Sequence, residues 1–232
     1  MKLAGLQKLT LLDFPGHVAC TVFTDGCDLR CPFCHNSDLV LPERSVPALD
    51  EEEFFSFLRK RQGVLEGVCL TGGEPLLHPD AGDFLARVRE LGFAVKLDTN
   101  GTFPDRLRDL VSRKLVDMVA MDIKNSPERY GETVGLPGLD LGPVRESVAF
   151  LLSGQVDYEF RTTVVAGLHD EASFASIGAW IHGAKCYALQ VFRDSPEVLV
   201  PGLAPCSREE MERFADLVRP HVGRVLLRGD VE

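Results

Sequence analysis

Val18-Ala19-Cys20-Thr21-Val22-Phe23-Thr24-Asp25-Gly26-Cys27-Asp28-Leu29-Arg30-Cys31-Pro32-Phe33-Cys34-His35-Asn36 runs from an apolar, β-branched segment into a loop holding three cysteines within eight residues. Residues 18–24 read as a strand covered on both faces, since they form a near-continuous apolar run instead of alternating with polar positions. A strand that ends in a chemistry-bearing loop is the way parallel α/β folds assemble their sites.

The same alternation continues along the chain. Strand candidates follow at 68–71, 94–99, 118–123, 158–165, 187–192 and 224–227. Helical spacing fills the intervals. Asp50 with Glu53 resembles a capping box ahead of an inward stripe of Phe54, Phe57 and Leu58. Asp80 opens a helix carrying Phe84, Val88 and Leu91, and Pro104 precedes Leu107, Leu110 and Val111. Val144, Val148, Leu151 and Leu152 recur at helical spacing, as do Phe174, Ile177 and Ile181. Ser207 with Glu210 makes a second capping box before Met211, Phe214, Ala215 and Val218. Six βα units predict a parallel α/β architecture. The 232 residues fall short of the roughly 250 typical of an eightfold barrel. The expectation is therefore a single domain over residues 1–232, a partial parallel (β/α)6 TIM-like barrel, with a doubly wound sheet as the rival. The Gly/Pro-rich stretches 125–142 and 194–204 read as surface loops.

Composition narrows the function classes. Apolar residues make up 45% and charged residues 26%, which suits a globular chain with a sizeable core and excludes a disordered one. The formal charge of −10 argues against nucleic acid as the main partner, because no counterion release would reward binding. No apolar run approaches the roughly 18 residues of a membrane span. Met1-Lys2-Leu3-Ala4-Gly5 does not start the long apolar stretch of a signal peptide, so a cytoplasmic location is expected.

Cys27-x₃-Cys31-x₂-Cys34 is the densest chemical signal. Three thiolates on one short loop suit three irons of a cubane cluster, leaving the fourth iron open to a ligand with an amine and a carboxylate. Zinc is the alternative; a structural zinc needs four ligands, with His35 or a distant cysteine supplying the fourth. Cys20, Cys69, Cys186 and Cys206 are scattered and read as core thiols. Gly72-Gly73-Glu74 ends the second strand, where two glycines permit close backbone approach and Glu74 can accept from an ammonium. Polar groups then close strand after strand: Asp98 and Asn100, Asp122 and Lys124, Arg161, and Gln190. Charges in apolar strands are costly unless paired or functional. Singly, each could belong to a buried ion network; together they converge on one rim with the cysteines.

With these residues assembled, the chain resembles a radical S-adenosylmethionine (SAM) enzyme. The resemblance rests on Cys27-x₃-Cys31-x-Phe33-Cys34 and on Gly72-Gly73-Glu74. Gly5-Leu6-Gln7-Lys8, Leu12-Asp13-Phe14-Pro15-Gly16, Cys34-His35-Asn36, Asp98-Thr99-Asn100-Gly101, Met121-Asp122-Ile123-Lys124 and Arg161-Thr162-Thr163 narrow it to glycyl-radical-enzyme activases. Within that group it is most similar to the activating proteins of anaerobic ribonucleoside-triphosphate reductases, over residues 5 to about 192. The resemblance implies a radical SAM barrel in which Cys27, Cys31 and Cys34 hold a [4Fe–4S] cluster. It implies that the open iron binds the amine and carboxylate of S-adenosyl-L-methionine. Gly72, Gly73 and Glu74 would meet the methionine part, and Asp98, Asp122, Lys124 and Arg161 would orient the rest, Lys124 and Arg161 suiting the carboxylate. Asn100 and Gln190 would reach ribose or adenine, and His35 and Asn36 would shape the cluster loop.

The implied reaction is one-electron cleavage of SAM to methionine and a 5′-deoxyadenosyl radical, which takes a hydrogen atom from a glycine α-carbon of a partner glycyl radical enzyme. The electron would come from a reduced flavodoxin- or ferredoxin-type donor. Two other functions stand beside this one. A radical SAM enzyme acting on a small molecule or cofactor precursor shares every SAM residue, and a non-enzymatic metal-binding module shares only the cysteines.

Overall fold

The computed structural model describes residues 1–41 and 47–229. In chain order its elements are strands β1 (Leu3–Thr10) and β2 (Ala19–Thr24), then helices α1 (Ser37–Val40) and α2 (Glu51–Arg59). Next come β3 (Gly67–Gly72), α3 (Ala81–Glu90), β4 (Ala94–Thr99), α4 (Pro104–Ser112), β5 (Met118–Asp122), α5 (Tyr130–Thr133) and α6 (Gly142–Leu152). The last are β6 (Asp157–Val164), α7 (Glu171–Trp180), β7 (Tyr187–Val191), α8 (Arg208–Val218) and β8 (Val225–Arg228). The expected α/β alternation is present, and the strand at 94–99 has the boundaries read from sequence.

The backbone packs as two compact units. One comprises Met1–Asp28, Asp38–Ala120 and Gln155–Asp157; the other comprises Leu29–Ser37, Met121–Gly154 and Tyr158–Glu232.

In the first unit β2, β3 and β4 pair in parallel, with Ala19 opposite Gly67 and Gly67 opposite Ala94. β1 pairs with β2 antiparallel and was not expected. Its sequence, with Gly5, Gln7 and Lys8, lacks the apolar run of a covered strand, and residues 7–9 are exposed. The turn leaving it is built by side chains. Thr10 Oγ1 accepts from the amides of Leu12 and Asp13, and Thr21 Oγ1 donates to Asp13 at 2.5 Å. Phe14 is buried over Gly67, where a Cβ would lie 2.8 Å from its ring. Asp50 caps α2 by accepting from the Glu53 amide. The helix buries Phe54, Phe55 and Leu58, so Phe55 takes the inward place expected of Phe57, and its ring packs 5.3 Å from Phe84 of α3.

In the second unit β6, β7 and β8 are parallel, with Phe160 opposite Tyr187 and Tyr187 opposite Val225. Arg228 of β8 meets buried Glu159 of β6 through two bonds of 2.7 Å. α8 begins with the full reciprocal Ser207–Glu210 box, and Phe214 stacks on Phe174 of α7 with ring centroids 4.5 Å apart. Stretch 125–142 is not all loop, because it contains the short α5. Cys20, Cys69, Cys186 and Cys206 are buried and outside any disulfide, as core thiols should be. No helix among the described residues is long and apolar enough to cross a membrane.

Candidate active site

Cys27, Gly72, Gly73, Glu74, Asp98 and Asn100 belong to the first unit, and Cys31, Cys34, Asp122, Lys124, Arg161 and Gln190 to the second. Each group is a connected network of its own.

In the first unit the glycine turn is fitted to the chain that leads into Cys27. Gly73 N donates to Thr24 O at 3.0 Å and Glu74 N to Gly26 O at 2.8 Å. Gly72 holds a φ of +124°, and a Cβ on it would strike the Thr24 backbone; a Cβ on Gly73 would strike Gly26 O. The close approach that requires two glycines is therefore backbone to backbone. Glu74 is fully buried. Its Oε1 accepts from Leu76 N at 2.9 Å and Thr99 Oγ1 at 2.8 Å, and its Oε2 accepts from Asn100 N at 2.7 Å. Three of about four acceptor positions of this carboxylate are thus filled from within the unit. Burial pushes its pKa up to about 7 against the pull of those three hydrogen bonds, with the nearby Asp28 carboxylate adding to the rise.

Asn100 is turned toward the cysteine loop. Its Nδ2 donates to Asp28 Oδ1 at 2.8 Å and lies 3.9 Å from Cys27 Sγ, while its Oδ1 accepts from Thr102 N and Oγ1. Asp98 forms a short ion pair with Lys96, whose Nζ also lies 3.9 Å from Cys69 Sγ. Lys96 is only 1% exposed. Sequence reasoning passed over it, although a lysine inside the apolar segment Ala94–Thr99 was the available signal.

In the second unit the cysteine loop continues as a tight turn, with Cys34 N donating to Cys31 O at 3.1 Å. Arg30 N donates to Val134 O at 2.9 Å, and Gly135, at φ +72°, leaves no room for a Cβ beside Arg30 O. Burial pushes the Cys31 thiol up to about 11, opposed by the Lys124 charge, and also raises Cys34. A bound iron would reverse that preference, because a coordinating thiol is deprotonated by the metal.

Asp122 closes β5 and accepts from Lys124 Nζ at 2.9 Å and Arg161 Nε at 3.0 Å. Burial would raise Asp122, but the Arg161 and Lys124 charges outweigh it and hold the carboxyl at about 2. Two cations thus meet on one carboxylate at this strand end. His169, also missed from sequence, fixes the backbone of Lys124. Its Nε2 donates to Lys124 O at 2.9 Å while Nδ1 accepts from Val165 N at 3.1 Å, so the ring is neutral. Burial lowers its pKa accordingly. Gln190 lies on β7, half-buried, between Thr163 of β6 and Arg228 of β8.

The donor set fits an iron–sulfur cluster by its chemistry: Cys27, Cys31 and Cys34 are three thiols outside any disulfide. His35, the candidate fourth zinc ligand, donates its Nε2 to Arg193 O at 2.6 Å, which leaves Nδ1 as its one nitrogen for a metal. Among the described residues no three His, Cys, Asp or Glu side chains gather about one point as a single ion would require.

Comparison with known proteins places the chain in a wider group. The description "Radical SAM superfamily" matches residues 21–172. A Methanocaldococcus jannaschii protein provisionally named a glycyl-radical enzyme activating enzyme is 29% identical over 97% of this chain and 95% of its own length. The pyruvate formate-lyase-activating enzyme of Clostridium pasteurianum is 32% identical over 53% of this chain, which spans only 52% of that enzyme. Streptococcus suis SuiB shares the fold, with a TM-score of 0.69 and 13% identity over 88% of this chain and 47% of SuiB. The protein is an enzyme that works with a [4Fe–4S] cluster and S-adenosylmethionine. From its residue match, its α/β fold with parallel strands and its three-cysteine loop, the chain belongs to the radical SAM superfamily.

Proposed function

We propose that the chain is a glycyl-radical-enzyme activating enzyme whose target is an anaerobic ribonucleoside-triphosphate reductase. The observation that carries the activase reading is the nearly full-length likeness to the M. jannaschii protein, which spans 97% of this chain. The choice of reductase rests on the overall sequence resemblance over residues 5 to about 192.

When bound, the reduced cluster and SAM supply a 5′-deoxyadenosyl radical able to take a hydrogen atom from a glycine α-carbon. Cys27, Cys31 and Cys34 would hold the cluster. Lys124 and Arg161, braced on Asp122, would receive the methionine carboxylate. Glu74 holds the Gly72–Gly73 turn and the Asn100 backbone in one frame, so that this turn can line the methionine part without shifting. Asp98, fixed by Lys96, and Gln190 are assigned to the nucleoside side of SAM. The electron would come from a reduced flavodoxin- or ferredoxin-type protein.

The test is anaerobic. Protein reconstituted with iron and sulfide is reduced and mixed with SAM and the reductase, and the reductase is examined by electron paramagnetic resonance. A glycyl radical formed in step with 5′-deoxyadenosine is expected. 5′-Deoxyadenosine without a radical on any glycyl radical enzyme offered would move the chain to small-molecule chemistry. Full activity in Cys27→Ala, Cys31→Ala or Cys34→Ala would refute the ligand assignment.

A further inference from the structure

Three hydrogen bonds at residues 193–200, with a ring contact at the preceding Phe192, tie this stretch to the later half of the cysteine loop, all inside the second unit. Leu199 N donates to Cys34 O at 3.1 Å and Val200 N to Pro32 O at 2.9 Å. His35 Nε2 donates to Arg193 O at 2.6 Å, and its ring lies 5.4 Å from that of Phe192. The segment leaves the end of β7 at fully buried Phe192 and is pinned again at buried Val198. Arg193, Asp194, Pro196 and Glu197, between those anchors, face solvent. Chain some 160 residues distant from the cysteines in sequence thus satisfies two backbone carbonyls of their loop, at Cys34 and two residues before it.

We propose that residues 193–200 form a strap that positions Cys34 and thereby sets how long the cysteine loop retains its cluster. The inference rests on the reading of Cys34 as a cluster ligand. A ligand thiolate is placed by its own backbone, and local opening of that backbone exposes its iron to a chelator. The Leu199 bond acts on the Cys34 carbonyl itself. The His35 bond acts on the next residue, through the ring Nε2. Arg193, Leu199 and Val200 are positioning residues here by virtue of backbone atoms alone, while His35 is one through its ring.

The experiment uses the full chain reconstituted with iron and sulfide, without SAM, challenged anaerobically with an iron chelator while the visible iron–sulfur absorbance is followed. Two matched pairs isolate the hydrogen bonds. Leu199→Pro removes the amide proton and Leu199→Ala keeps it; His35→Phe keeps an aromatic ring without a donor and His35→Gln keeps a donor. Loss of one such bond should speed release about fivefold in Leu199→Pro and His35→Phe, with Leu199→Ala and His35→Gln within about twofold of the parent. Hydrogen exchange of the metal-free chain gives a second readout, with faster exchange at Val200 expected in His35→Phe than in His35→Gln. Equal release rates across each pair would overturn the strap while leaving the ligand assignment intact. A parent chain that takes up no cluster would overturn both. Should Leu199→Pro not fold, the His35 pair decides alone.

Discussion

Glu74, at the end of β3, and Asp122, closing β5, are both strand-end carboxylates drawn into the protein, yet they are displaced in opposite directions, one to about 7 and the other to about 2. Glu74 is the better supplied with donors, receiving three, but all are neutral amides or a hydroxyl. Asp122 receives a lysine and an arginine. Neutral dipoles satisfy the geometry of a buried carboxylate without cancelling its charge, and only full opposite charges repay the lost hydration. The difference also separates the roles. Glu74 is a peg that joins β3 to β4, while Asp122 gathers two cations, the groups proposed to meet a ligand anion.

The largest effect expected from this contrast is at Asp122. Asp122→Ala removes the carboxylate that Lys124 and Arg161 share and should cost about 4 kcal/mol of unfolding free energy, read by denaturant titration. A loss below about 1 kcal/mol would break the comparison, since the cations would then not depend on Asp122.

The pH profile sharpens it. For Asp122 the folded pKa is depressed, so its stabilisation is present above the unfolded value near 3.8 and fades as pH falls toward 2. For Glu74 the folded pKa is raised, so the folded state holds the extra proton and stability declines as pH climbs from about 4.5 to about 7. The unfolding free energy of the parent minus that of Glu74→Gln should therefore fall by about 3 kcal/mol across that interval. Taking the difference removes His169, whose depressed pKa acts in the opposite sense near neutrality. A flat difference would mean that Glu74 ionises freely in the fold.

The smallest effect concerns the two cations. Lys124→Ala or Arg161→Ala should weaken SAM binding about tenfold, roughly 1.4 kcal/mol, while the cluster spectrum stays intact. Unfolding in place of weaker binding would return both residues to a purely structural network.

How much of this could be read from the chain differs between the two regions as well. The strands that succeed β1 carry long apolar runs, and the period of the helices fixes most buried positions, so the alternation of β and α was visible. β1 was not, because a partly exposed strand bearing Gln7 and Lys8 has no such run. Phe55 and Phe57 are both large and apolar, and only packing against Phe84 decides which one turns inward. The cysteines stood out by spacing, and Asp122, Lys124 and Arg161 by being charged within apolar strands. Their pairing, like the bond from Asn100 to Asp28 across 72 positions, depends on register between distant segments, which no local pattern encodes. Lys96 carried the same signal as Lys124 and was passed over because it precedes the strand end by three residues.

The fit of Gly73 against Gly26 O has a consequence for sequence tolerance. The obstruction is main chain belonging to the residue before Cys27, so no compensating change of side chain elsewhere can make room. In a library randomised at every position and selected for activity, position 73 should admit glycine alone. Lengthening or shortening the link between Thr24 and Cys27 should be as damaging as losing a cysteine.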